Sequence, residues 1–245
     1  MSKRYDCQNP QERTAGIEAA VTAARAGELI VLPTDTVYGI GADAFIPAAV
    51  TTMLAAKGRG RNMPPPVLVG TARAAAALVD DLGAFGQDLI DEFWPGALTL
   101  VFRASPTLLW DLGDTKGTVA LRVPLHSVAL DVLRQTGPLA VSSANRHGQP
   151  PAVSADDAEQ QLAEAVSVYL DGGPCADSVP STILDLTGTI PKVLRTGAIS
   201  VDRLRVVSSV LAENEDYPED AGVKPAAPHP LEAGPADPAT GEPPA

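Results

Sequence analysis

Three short segments of this 245-residue sequence gather side chains that could do chemistry. The first is "AAKGRGRNMPPPVLVG", residues 55–70, with Lys57, Arg59 and Arg61 at alternate positions. Gly58 and Gly60 disfavour helix, so the spacing predicts an extended segment with all three cations on one side. Converging cations repel unless an anion fills the space between them. A phosphate chain does this well, because guanidinium forks take phosphate oxygens in pairs. A solvated basic loop explains the same residues as well. The segment is not the phosphate loop G-x-x-x-x-G-K-[ST], and no G-x-G-x-x-G follows a strand pattern.

The second segment, "LPTDTVYGIGADAF", crowds Thr34, Asp35, Thr36 and Tyr38 at a predicted strand end beside Gly39 and Gly41. Strand ends hold donors still and often meet ligands. A turn whose hydroxyls cap backbone groups would have the same composition. The third, "LAVSSANRHGQPP", is an apolar run that empties into Ser142, Ser143, Asn145 and Arg146. Small hydroxyl and amide groups there suit a phosphate or a ribose. Ser143 does not stand in G-x-S-x-G, so it is not read as a hydrolase nucleophile. His147 is the one histidine near a polar cluster, and no Ser/His/Asp triad or zinc set can be assembled.

These segments need elements to position them. Apolar spacing predicts helices over 10–26, "PAAVTTMLAAK", 71–80, 84–94, "HSVALDVLRQTG" and "SADDAEQQLAEA", the last opening on Ser154 with acids in its first turn. Strand patterns are "ELIVL" before Pro33, "PPVLVG", "ALTLVFRA", "GTVALRVP", "PLAVSSAN", "VSVYLDGG", "STILDLTG" and "KVLRTG". Strands outnumber helices without alternating strictly, which predicts an α/β domain with a mixed sheet. Phe93 and Trp94, before Pro95-Gly96, read as core and turn rather than a base-stacking platform. Cys175, in "GGPCADS", reads as an unreactive thiol in an exposed turn.

The whole chain sets the limits. Its net charge is -12, but residues 212–245 hold eight acids against Lys224 alone, which leaves -5 for 1–211. That terminal segment also has eight prolines and few large apolar residues, and is expected to be a disordered acidic tail. The domain is then 1–211. Two cysteines far apart, Cys7 and Cys175, make no disulfide framework or metal knuckle. With no secretion signal or long apolar run visible, the expected compartment is the cytoplasm and no membrane partner is expected.

The motifs "PTDTVYGIGADA", "KGRGR", "FWPGALTLV", "TVALRVPLH", "VSSANRHGQPP", "STILDL" and "VLRTGAIS" occur in that order, and over residues 12–205 the chain resembles the YrdC-like family. The paired K-x-R … S-x-N hallmark stands at Lys57, Arg59, Ser143 and Asn145. The resemblance implies a single domain with a twisted mixed β-sheet, flanked by helices, around a positively lined cavity. It implies threonylcarbamoyl-AMP synthesis: ATP, L-threonine and bicarbonate give threonylcarbamoyl-AMP and pyrophosphate, for N6-threonylcarbamoyladenosine modification of tRNA. It assigns ATP to Lys57, Arg59, Thr118, Ser143 with Asn145, and Arg195, and threonine to Thr36, Arg122 and Ser181. Mg2+ is expected as the ATP counter-ion, without a dedicated carboxylate cage, and Asp35 stands as a potential outer-shell partner or turn stabiliser. Downstream tRNA-modifying machinery and tRNA are further candidate partners. An RNA-binding module and a related carbamoyl-adenylating enzyme are the alternatives. The chain departs from the family after K-x-R, where an Asn and a His are usual. Here Met63 and the stretch Leu68–Gly70 stand near those places, Arg61 is extra, and Pro151 replaces a frequent Ser.

Overall fold

The computed structural model describes residues 2–176 and 178–208, with the backbone of 212–213. The rest of the expected tail, 214–245, lies outside the described residues.

Most strands form where an apolar run is short and bounded by turn residues. They are β1 (Lys3–Asp6), β2 (Ile30–Leu32), β3 (Gly39–Asp43), β4 (Val67–Leu68), β5 (Leu98–Arg103), β6 (Thr118–Arg122), β7 (Leu139–Ser143), β8 (Val168–Asp171), β9 (Thr182–Asp185), β10 (Lys192–Arg195) and β11 (Ala212–Glu213). The helices are α1 (Pro10–Arg25), α2 (Pro47–Lys57), α3 (Ala72–Ala76), α4 (Gly83–Phe93), α5 (Ser127–Thr136), α6 (Ala155–Leu162) and α7 (Val201–Val207). The strands join in one mixed sheet, in the order β1-β8-β2-β3-β7-β4-β6-β5-β9-β10-β11.

The alternation of side chains gives each face its own core. Ile30, Leu32, Leu139 and Val141 pack under α1 and α5, against Val21 and Val132. Val31, Ile40, Ala140 and Leu100 face the other way, against Met53 of α2 and Leu89 of α4. Local signals place the helix starts. The Asn9 side chain accepts from the N–H groups of Gln11 and Glu12 ahead of α1, and Ser154 and Asp157 form a reciprocal capping box on α6.

Four elements differ from expectation: β1, α7, β3 and β11, the last a two-residue strand beside β10 at the start of the expected tail. β1 and α7 have no strong apolar period in "KRYD" and "VDRLRVV". β3, "GIGAD", reads as loop because glycine is poor strand material, yet it pairs along its whole length with β7. A side chain at Gly39 would come within 2.6 Å of the Val141 Cγ1 atom, so the neighbour fills the space that Gly39 leaves.

Candidate active site

A cavity of about 690 Å³ lies against the central strands. Thr118, Ala120 and Arg122 reach it from alternate positions of β6, and Thr99 and Val101 from β5. Ser142 and Ser143 enter at the end of β7, Ser181 just before β9, and Arg195 at the end of β10. Thr34 and Thr36 come from the turn between β2 and β3. Among the described residues three arginines, Arg59, Arg122 and Arg195, line the cavity, and no Asp or Glu does.

Of the residues expected at the site, Thr36, Arg59, Thr118, Arg122, Ser143, Asn145, Ser181 and Arg195 all reach this one space. Lys57 does not. It occupies the last turn of α2, and its side chain is buried behind the wall. Its Nζ donates to the Ser143 carbonyl, to the Asn145 carbonyl at 2.7 Å and to Asn145 Oδ1 at 3.3 Å. Asn145 Nδ2 in turn donates to the carbonyls of Arg146 at 3.0 Å and Gln149 at 2.6 Å. Lys57 and Asn145 therefore form one buried knot that shapes the turn after β7. Burial, with Arg59 nearby, pulls the Lys57 pKa from its usual 10.5 to about 7. Its three acceptors match the three N–H groups of an ammonium and pull the other way.

The convergence of Lys57, Arg59 and Arg61 on one side does not occur. Lys57 is still helical, Gly58 is left-handed (φ 69°), and a further turn over 61–62 is closed by the Met63 N–H on the Gly60 carbonyl at 3.2 Å. The three cations separate. Lys57 goes behind the wall, and Arg59 turns to the cavity with Nη1 donating to Ser142 Oγ at 3.1 Å. Arg61 points outward, where both its Nη atoms meet Asp111, at 2.7 and 3.0 Å. Its carbonyl also accepts the Asp114 N–H at 2.8 Å, so Arg61 ties the 58–66 segment to the loop between β5 and β6. Met63 and Pro64–Pro66 line the cavity beside it.

Arg122 is the most enclosed of the three arginines. Its Nε donates to the Gly96 carbonyl at 2.8 Å, Nη1 to Thr36 Oγ1 at 3.0 Å and Nη2 to Asp35 Oδ1 at 2.5 Å. Burial pushes its pKa down, and the Asp35 carboxylate opposes that. Asp35 is thus tied to Arg122 rather than only to its own turn. At the other end, Arg195 Nη2 donates to the Ser181 carbonyl at 2.7 Å and to Ser181 Oγ at 3.2 Å. Ser181 Oγ lies 2.8 Å from Thr99 Oγ1. Thr99 was not picked out from the sequence, whereas Ser142 stood with Ser143 as a phosphate or ribose candidate. The signal for Thr99 was one hydroxyl in the otherwise apolar "ALTLV", on the face opposite Leu98 and Leu100.

Phe93 is buried and Trp94 Nε1 donates to the Leu98 carbonyl at 2.7 Å, as core and turn residues. Cys175 is half-buried rather than exposed, and burial pushes its thiol pKa up. Among the described residues no three His, Cys, Asp or Glu side chains form a metal-binding group, and no helix is long and apolar enough to cross a membrane.

A mixed-sheet α/β domain with an arginine- and hydroxyl-lined cavity belongs to the class that binds phosphate-bearing small molecules at strand ends. A model of the Sua5/YciO/YrdC family, described as "Telomere recombination", matches residues 22–197, and the chain belongs to this family. A Mycobacterium tuberculosis protein is 53% identical over 210 residues, covering 86% of this chain and 97% of its own length. The threonylcarbamoyl-AMP synthase of Bacillus subtilis is 34% identical over 217 residues, 85% of this chain. Among solved structures, Pyrococcus abyssi Sua5 complexed with L-threonine superposes with a TM-score of 0.80 at 30% identity, covering 87% of this chain. The chain spans 62% of the length of each of the last two.

Proposed function

We propose that this chain is a threonylcarbamoyl-AMP synthase, which joins ATP, L-threonine and bicarbonate into L-threonylcarbamoyladenylate with release of pyrophosphate and water. The observation that carries this reading is the cavity itself. Three arginines, each tethered by hydroxyls or carbonyls, surround one space that no carboxylate lines among the described residues. Such a space suits a polyanion together with a small amino acid. The relatives that bear the enzyme's name support the choice among polyanion-binding reactions.

In this reading the threonine amine forms an N–C bond to the bicarbonate carbon, and one oxygen leaves as water. A carbamate oxygen then attacks the α-phosphorus of ATP in line, and the bond to pyrophosphate breaks. The protein supplies position and charge rather than a covalent nucleophile. Arg59 and Arg195 hold the nucleotide phosphates and offset the charge that grows on pyrophosphate. Thr118 and Ser143 hold the nucleotide, while Arg122 meets the threonine carboxylate, with Thr36 and Ser181 beside it. Lys57 acts from behind, by fixing the turn that presents Ser143 and Asn145 to the cavity. Mg2+ would arrive on the ATP phosphates, since the lining offers it no carboxylate donors among the described residues.

In the same reading the product serves tRNA modification, and the enzyme works in the cytoplasm and hands threonylcarbamoyl-AMP to the machinery that carries the group to tRNA. The test is pyrophosphate release with each substrate omitted in turn. Release should require ATP, threonine and bicarbonate together. Release independent of threonine would overturn the reading.

A further inference from the structure

Asp35 is absent from the cavity wall, yet it governs the group that faces it. A guanidinium has five N–H donors in a rigid plane. In Arg122 three are used within the protein: Nε on Gly96, Nη1 on Thr36 and Nη2 on Asp35. One donor on each Nη is left, and the residue lines the cavity. The plane of the fork is therefore set before any ligand arrives. Asp35 makes the shortest of the three contacts, 2.5 Å, with both side chains largely buried. The same Oδ1 accepts the Leu125 N–H at 2.9 Å, which ties down the bend that follows β6. Asp35 thus fixes Arg122 at its tip and the chain just beyond its root.

The geometry points to Asp35 as a positioning residue, which touches no substrate but aims the two remaining Arg122 donors at the threonine carboxylate. This rests on the threonine site proposed above. Two effects of Asp35 oppose each other. Its charge repels an incoming carboxylate, while its contact orders the fork that binds it. An ordered bidentate fork gains more than a mobile one, because less freedom is lost on binding. The sign of the change in threonine KM on removing the charge therefore decides between them.

The test is the steady-state kinetics of pyrophosphate release by full-length Asp35→Asn and Asp35→Glu. The first keeps the shape and removes the charge. The second keeps the charge pair and moves the carboxylate by one methylene. Both should raise the KM for threonine about tenfold, equivalent to about 1.4 kcal/mol, with the KM for ATP changed less than about twofold. Should Asp35→Asn fail to fold, Asp35→Glu carries the test, since its buried pair stays charged. A threonine KM that is unchanged or lowered overturns the proposal, and so does an equal rise in both KM values. Failure of the wild-type chain to release pyrophosphate in a threonine-dependent way sinks instead the reading on which the proposal rests.

Discussion

Lys57 and Arg59 stand two positions apart and end in different places, one behind the cavity wall and one in it. Arg59→Ala should lower kcat/KM by roughly 100-fold or more, the scale for losing one preorganised charge-stabilising donor, with the melting temperature little changed. Lys57→Met should also lose activity, but through the fold. It removes the ammonium donor from the Ser143 and Asn145 carbonyls, although Ser143 keeps the Asn145 N–H at 2.9 Å, at a cost of about 1–3 kcal/mol, which should lower the melting temperature by several degrees. If both variants kept normal rates, the site would be misassigned. The depressed Lys57 pKa also has a sign. Between about 7 and 10.5 the unfolded chain holds the proton and the folded chain gives it up. Stability should therefore rise with pH across that window, with the full penalty present below it. Lys57→Met should flatten that part of a denaturant-midpoint profile; an unchanged slope would contradict the burial argument.

The residue types at the site were legible because hydroxyls, amides and cations stand out between apolar runs. Their directions were not. An extended-chain rule sent Lys57, Arg59 and Arg61 the same way, but helix α2 runs on through Lys57 and the left-handed Gly58 breaks the alternation. The role of Asp35 was open for a related reason. Its partner, Arg122, is 87 positions away, and only the sheet brings them together.

At the scale of elements, the apolar periods of α1, α4 and α5 and the strand alternation of β5 and β6 made most of the architecture readable. The exceptions share a cause, a partner remote in sequence. β3 is a strand because β7 and Val141 accommodate its glycines, and β1 because β8 offers an edge with Asp171, which pairs with Arg4. The loop between β5 and β6 is held near the cavity by the outward clasp of Arg61 on Asp111. Both partners are well exposed, so water and salt weaken the pair. Arg61→Ala should leave kcat/KM within about threefold of wild type at ordinary salt, on the small worth of exposed pairs. A loss comparable to that of Arg59→Ala would make the clasp part of the catalytic machinery.

At the scale of the molecule, the net charge of -12 hides a cavity of the opposite sign. Strands β5 and β6 of the mixed sheet meet that cavity along one face, while β7 and β10 meet it at their ends. In the proposed reaction threonine is adenylated through a carbamate rather than through its own carboxylate. Carbon-13 bicarbonate supplied with ATP and threonine decides this by mass spectrometry of the nucleotide product. The expected product is an adenylate that contains threonine and one labelled carbon, formed in step with pyrophosphate. An adenylate of threonine without the label, or plain AMP, would contradict it.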